Sequence, residues 1–181
     1  TIGLIFPSSI ELILQWLAVL DAGKEPLIMQ YPTKKQSRDY WLDSVNHTIS
    51  SVGIDGIICS KTISGFSVLG NCPVQMFDGA IRNSEEICEH ICDGAIIQLS
   101  SGTTGYRKAI RYSLDSLERH VKNYNILLNG SAKDCIVSWL PLYHDMGFIA
   151  CFVMPLMLGV RVAMIDPIDW LNQRSMLYEA V

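Results

Sequence analysis

Short runs rich in β-branched and apolar residues alternate with longer segments whose apolar residues recur every three or four positions, and this alternation most narrows what the chain can fold into. "TIGLIF" reads as a strand. Ser8 and Glu11 are spaced as a capping box for a helix with Ile10, Leu14, Leu17 and Leu20 as its apolar positions, ending near Gly23. "PLIMQ" reads as a second strand. Thr33 and Gln36 are spaced to cap another helix, which carries Trp41, Val45, Ile49 and Val52 on one stripe before Gly53 stops it. "DGIICS", "PVQMF" and "AIIQLS" are further strands. Strands that alternate with helices predict an α/β fold, a mostly parallel sheet with flanking helices. No repeat or low-complexity tract interrupts residues 1–181, so a single unit is predicted. The first residue already belongs to a strand, and "DWLNQRSMLYEAV" reads as a helix still running at Val181, so a piece of a longer protein is expected.

Composition excludes several classes of partner. A net charge of -4, with no basic block or stripe, gives no electrostatic case for nucleic acid or an anionic membrane surface. The longest apolar stretch, "MGFIACFVMPLMLGV", is broken by Pro155 and ended by Arg161, short of the ~20 residues that a membrane span requires. It reads as a core helix followed by a strand, and no membrane span is expected. Six cysteines with no signal-like leader point to reduced thiols and a cytoplasmic location. Cys88 and Cys92 flank His90, but no second ligand pair stands at a zinc spacing, so buried structural thiols are expected and no metal site is assigned within the chain.

The stretch "QLSSGTTGYRKAIRYS" carries the chemistry. "AIIQLS" before the loop and "KAIRYS" after it both read as extended, and the next helix starts only where Ser113 caps "LDSLERHVKNYNILL". The loop therefore joins strand to strand, unlike the phosphate loop that runs into a helix and uses its dipole. Gly102 and Gly105 free backbone amides to turn toward an oxyanion. Ser100, Ser101, Thr103 and Thr104 add hydroxyl donors, and Lys108 adds a compact positive charge. The plain alternative is a Gly/Ser/Thr turn in an ordinary hairpin.

The order S-G-T-T-G-x-x-K resembles the phosphate loop of the adenylate-forming superfamily, which includes acyl-CoA synthetases, fatty acyl-AMP ligases and peptide-synthetase adenylation domains. The usual form is [ST]-S-G-T-T-G-x-P-K-G, so Arg107 stands here where proline is usual and Ala109 where glycine is usual. A second stretch, "SWLPLYHDMGFIACFVMPLMLGVRVAMIDP", is similar to the segment that follows the loop in that superfamily. Its P-L-Y-H-D-M-G form is closest to fatty acyl-AMP ligases. "IGLIFPSSIELILQWLAVLDAGKEPLIM" and "PIDWLNQRSMLYEAV" resemble the early strand–helix–strand and the P-x-x-W-L segment of the same enzymes.

The resemblance implies ATP-dependent activation of a carboxylic acid, with a fatty acid the expected substrate, to an acyl-adenylate that is then passed to coenzyme A or a carrier protein. It implies ATP and Mg2+, with most of the metal's ligands outside this chain. Ser100, Ser101, Gly102, Thr103, Thr104, Gly105 and Lys108 would cradle the phosphates. His144 would stand at the mouth of the acyl pocket near the carboxylate, and Met146, Gly147 and Phe148 would begin the helix that borders it. Lys108 and His144 are the expected catalytic groups. Phe148, Ile149, Phe152, Val153 and Leu156 lie at helical spacings that would offer an apolar wall. His144 beside Asp145 raises a hydrolase alternative, but there is no G-x-S-x-G elbow, and adjacent residues of a strand point to opposite faces. The superfamily's adenine, ribose and C-terminal lysine motifs find no match in residues 1–181. The chain thus reads as part of a large N-terminal domain whose isolated form is inactive, the alternative being a non-enzymatic, degenerate binding module.

Overall fold

A computed structural model describes residues 1–33, 36–63, 68–79, 94–100 and 107–181. The chain forms two compact units, Thr1–Arg111 and Tyr112–Val181. The Cys88–His90–Cys92 group lies outside the described residues, as do the loop residues Ser101 to Gly105.

The first unit is built on the predicted alternation. Strand β1 (Ile2–Ile5) leads into helix α1 (Ile10–Asp21), then β2 (Pro26–Ile28), α2 (Arg38–Val52) and β3 (Gly56–Cys59). A short β4 (Val68–Leu69), β5 (Cys72–Met76), β6 (Ala95–Leu99) and β7 (Ala109–Ser113) follow, and the seven strands form one sheet in the order β4-β5-β3-β1-β2-β6-β7. Pairing of β1 with β2 and β3, of β2 with β6, and of β3 with β5 is parallel, while β4 runs antiparallel to β5. All five residues of β6, which lies inside the sheet between β2 and β7, are buried, as expected of a strand covered on both faces. One face packs on Trp41, Val45 and Ile49 of α2 together with Ile5, Leu27, Met29, Ile57, Ile97 and Leu99. Gly53 closes α2 with φ 73°, a left-handed conformation that side chains with a Cβ adopt at a cost.

The caps fall elsewhere than expected. Ser9, not Ser8, caps α1, its hydroxyl accepting from the Leu12 amide at 3.4 Å. The Glu11 carboxyl is held below its usual range by its own backbone amide and by the Ser9 hydroxyl. Helix α2 starts after Ser37, later than the Thr33–Gln36 spacing predicts. The buried face of α1 is also corrected: Leu12, Trp16 and Val19 face inward, whereas Ile10, Leu14 and Leu17 are exposed. Both sets recur at helical spacing in this apolar helix, so periodicity alone does not choose between them.

In the second unit, α3 (Leu114–Leu128) is capped by Ser113 as predicted, with its hydroxyl accepting from the Ser116 amide at 3.2 Å. Strands β8 (Cys135–Ser138) and β9 (Arg161–Met164) pair in parallel, Cys135 opposite Arg161. Between them Met146–Val153 winds as a π-helix that continues into α4 (Met154–Leu158). The terminal segment is two short helices, α5 (Pro167–Asn172) and α6 (Met176–Glu179), rather than the one continuous helix expected. Trp139 and Trp170 stack at 3.9 Å between ring centroids. Among the described residues no helix is long and apolar enough to cross a membrane.

Candidate active site

The predicted phosphate-loop residues belong to the first unit and are described at the loop's two ends. Strand, loop and strand follow one another as expected, β6 ending at Leu99 and β7 beginning at Ala109. The Ser100 amide donates to the Lys108 carbonyl at 2.8 Å, and the Lys108 amide donates to the Ser100 hydroxyl at 3.2 Å. This pair of bonds clasps the chain across residues 101–107 and fixes where each arm leaves the sheet. Lys108 is exposed, so its side chain is open to solvent and to a ligand. Arg107 is half-buried and donates from Nη2 to Gln30 Oε1 at 3.2 Å. β2 and β6 pair in parallel with Leu27 opposite Ile97, which carries Gln30 to the level of Ser100 at the carboxyl edge of the sheet. In open α/β sheets that edge is where ligands bind.

The His144 region belongs to the second unit. Residues 142–144 turn the chain into the helix, with the His144 amide donating to the Pro141 carbonyl at 3.0 Å and the Phe148 amide to the His144 carbonyl at 2.8 Å. His144 Nδ1 stands 2.7 Å from Asp145 Oδ1, with both side chains about half exposed. The expectation that Asp145 would not orient His144 is thereby corrected: it assumed a strand, and a turn brings neighbouring side chains to the same side. With Nδ1–H donated to the carboxylate, Nε2 is left to meet a ligand. Asp145 also accepts from the Met146 amide at 2.8 Å, which ties the pair to the start of the π-helix.

Gly147 is required here for a steric reason. A Cβ at this position would lie 2.4 Å from the Pro141 carbonyl oxygen, closer than real side chains approach, so the helix can pack on the turn only through glycine. Phe148 is 2% exposed and tilts against Phe152 at 6.0 Å, while Met146 is 62% exposed. The five residues expected to form one apolar wall separate. Phe148, Phe152 and Val153 are buried, Leu156 is exposed, and only Ile149 lines the neighbouring cavity. The i→i+5 bonding of a π-helix changes which side chains share a face, and such helices are frequent at functional sites.

That cavity, of about 330 Å³, is lined by Met146, Ile149 and Ala150 from the π-helix and by Asp145 at its start. Its other wall is Tyr112, His120 and Tyr124, which the sequence reading did not single out. The available signal was the i, i+4 pairing of His120 and Tyr124 on α3, whose rings stack at 6.3 Å.

Among the described residues no group of three or more His, Cys, Asp or Glu side chains stands close enough to hold a metal ion. Cys59 and Cys72 are free and buried, and burial pushes both thiols up from their usual range.

The matches to known proteins span the chain. Over 179 residues it is 25% identical to an oxalate–CoA ligase of Arabidopsis thaliana, with 90% of the chain and 34% of that protein covered. Over 175 residues it is 24% identical to a protein described as a probable long-chain-fatty-acid–AMP ligase, FadD30, of Mycobacterium tuberculosis, with 89% and 30% covered. A crystal structure of a fatty acid AMP ligase from Legionella pneumophila superposes with a TM-score of 0.80 at 19% identity, over 99% of this chain and 32% of that one. The chain spans about a third of the length of the curated relatives it matches. The profile of the AMP-binding enzyme family matches residues 1–181 from end to end, and the chain belongs to that family.

Proposed function

We propose that this chain is part of the large N-terminal domain of an enzyme that activates a fatty acid as its acyl-adenylate and passes it to coenzyme A or a carrier protein. Attack of a carboxylate on the α-phosphate of ATP releases pyrophosphate, and a transfer of this kind depends on positioning and on neutralising phosphate charge. The observation that carries the reading is the clasp between Ser100 and Lys108 at the carboxyl edge of the sheet, which holds the arms of an S-G-T-T-G loop and leaves Lys108 exposed beside it. In this reading Ser100, Ser101, Gly102, Thr103, Thr104 and Gly105 surround the phosphates and Lys108 neutralises them. The hydroxyls, freed amides and single ammonium suit a polyphosphate. When bound, Mg2+ would supply further charge neutralisation; its ligands are assigned to the remainder of the protein.

His144 Nε2 is the group assigned to the substrate carboxylate, with Asp145 fixing the ring. The cavity beside Met146 is assigned to the acyl chain. Met146, Ile149, Ala150 and the rings of Tyr112 and Tyr124 give it an apolar part beside His120 and Asp145, and each methylene buried there contributes about 0.8 kcal/mol. Relatives include an oxalate–CoA ligase as well as a long-chain ligase, so substrate must be tested directly. ATP–pyrophosphate exchange in the complete protein is expected to rise steeply with fatty-acid chain length and to stay low with acetate, oxalate and amino acids. A preference for any of the last three would overturn the fatty-acid assignment. The isolated 181-residue chain is expected to give no exchange above a blank without enzyme.

A further inference from the structure

We infer that Arg107 is a positioning residue that sets the origin of the Lys108 side chain through a side-chain relay to Gln36, just ahead of α2. This rests on the reading of Lys108 as a phosphate-binding group. The relay consists of two hydrogen bonds through one amide: Arg107 Nη2 donates to Gln30 Oε1 at 3.2 Å, and Gln30 Nε2 donates to Gln36 Oε1 at 3.2 Å. A guanidinium only donates, so the Gln30 oxygen must face Arg107 and its nitrogen must face Gln36, and the amide has one orientation that satisfies both neighbours.

Gln30 is itself held firmly. Its main-chain carbonyl accepts from Nε1 of Trp41, a residue 2% exposed, at 2.8 Å, so its backbone is tied to the core of the first unit. The next residue along the loop's returning arm after Arg107 is Lys108, whose amide and carbonyl are both engaged by Ser100. Bonds from the Ser100 amide to its carbonyl and from its amide to the Ser100 hydroxyl therefore fix Lys108 from the β6 side, and the Arg107 side chain fixes it from the β2 side. A lysine has four rotatable bonds, so the position of its backbone decides the volume its ammonium can sample. Arginine suits the anchoring role because its planar fork reaches a neutral amide while remaining half-buried, which a lysine at the same position would do poorly. The same anchor accounts for a residue other than proline at position 107: the stiffness comes from a tether to the neighbouring strand instead of from a ring.

The test uses the complete protein and ATP–pyrophosphate exchange. Arg107→Ala and Gln30→Ala are each expected to lower kcat/KM for ATP by about tenfold to a hundredfold, leaving KM for the fatty acid unchanged. Because both remove the same contact, the double variant is expected to be no worse than either single one. In a Lys108→Ala background, Arg107→Ala is expected to add nothing, an outcome that a merely structural role would not produce. Additive losses, an undiminished effect of Arg107→Ala without Lys108, or unchanged kinetics would each overturn the inference. If Lys108→Ala leaves exchange untouched, the phosphate reading fails and the relay is decided by amide hydrogen exchange. Faster exchange in the peptide containing Lys108 for both Arg107→Gln and Gln30→Ala, with α1 unchanged, would support it, and equal exchange would overturn it.

Discussion

The two candidate regions hold their reactive side chains by opposite means. At the end of β6, parallel pairing delivers the chain to the sheet edge, and a pair of bonds joins Ser100 to Lys108, so Lys108, the cation assigned to phosphate, stands exposed outside the packed core. At His144 the assigned imidazole sits on a turn against an irregular helix, one residue from Asp145 and three from a glycine where a Cβ would meet the turn's own carbonyl. The first design separates function from stability. In the second they share one element, since the π-helix that packs through Gly147 and Phe148 also lends Met146, Ile149 and Ala150 to the cavity.

Core truncation should show the contrast most strongly. Phe148→Ala removes a buried aromatic side chain and is expected to destabilise by about 3–5 kcal/mol, read from denaturant unfolding. Gly147→Ala forces a Cβ onto the Pro141 carbonyl and is expected to cost on the order of 1–3 kcal/mol, with loss of exchange activity in the complete protein. Stability equal to the parent for Gly147→Ala would mean that the turn yields easily and that the coupling between function and packing is weak. The smallest effect belongs to a pair on the first unit, where Arg111 donates to Glu25 from Nε at 2.8 Å and also from Nη2. Hydrogen bonding from Arg111 chiefly holds the Glu25 carboxyl below its ordinary value of 4.5. A lowered folded-state value means that the contribution is fully present above 4.5 and disappears as pH falls through the folded value. Glu25→Gln should therefore lower Tm by at most about one or two degrees near neutrality and by nothing well below 4.5. A Tm difference that persists in acid would assign the effect to packing instead.

The first unit was also the more legible in sequence. Strand–helix alternation gave β1, β2, β3, β6 and their order of appearance, and the Trp41, Val45, Ile49 stripe proved to be the buried face of α2 because that helix is polar elsewhere. Helix α1 is apolar on more than one face, so the same logic chose Ile10, Leu14 and Leu17 when Leu12, Trp16 and Val19 are the residues inside. In the second unit Ser113 was readable as a cap because hydroxyl-to-amide capping is local. The π-helix was not, since periodicity arguments assume 3.6 residues per turn, and the wall drawn on that spacing divided among core, surface and cavity. The contact between His144 and Asp145 was misjudged for a related reason: it depends on a turn made by Pro141 and its neighbours, which strand geometry would forbid. The loop's strand-to-strand setting was legible, but Gln30 as the partner of Arg107, 77 residues earlier, was not.

The central claim is that Lys108 serves the phosphates of ATP and not the fold. ATP–pyrophosphate exchange and thermal melting of the complete protein carrying Lys108→Ala test it together. The account predicts exchange reduced about a hundredfold to a thousandfold, the loss of about 2.7–4 kcal/mol of transition-state stabilisation, with Tm unchanged. Wild-type exchange in the variant, with the fold intact, would contradict it and leave the loop an ordinary hairpin.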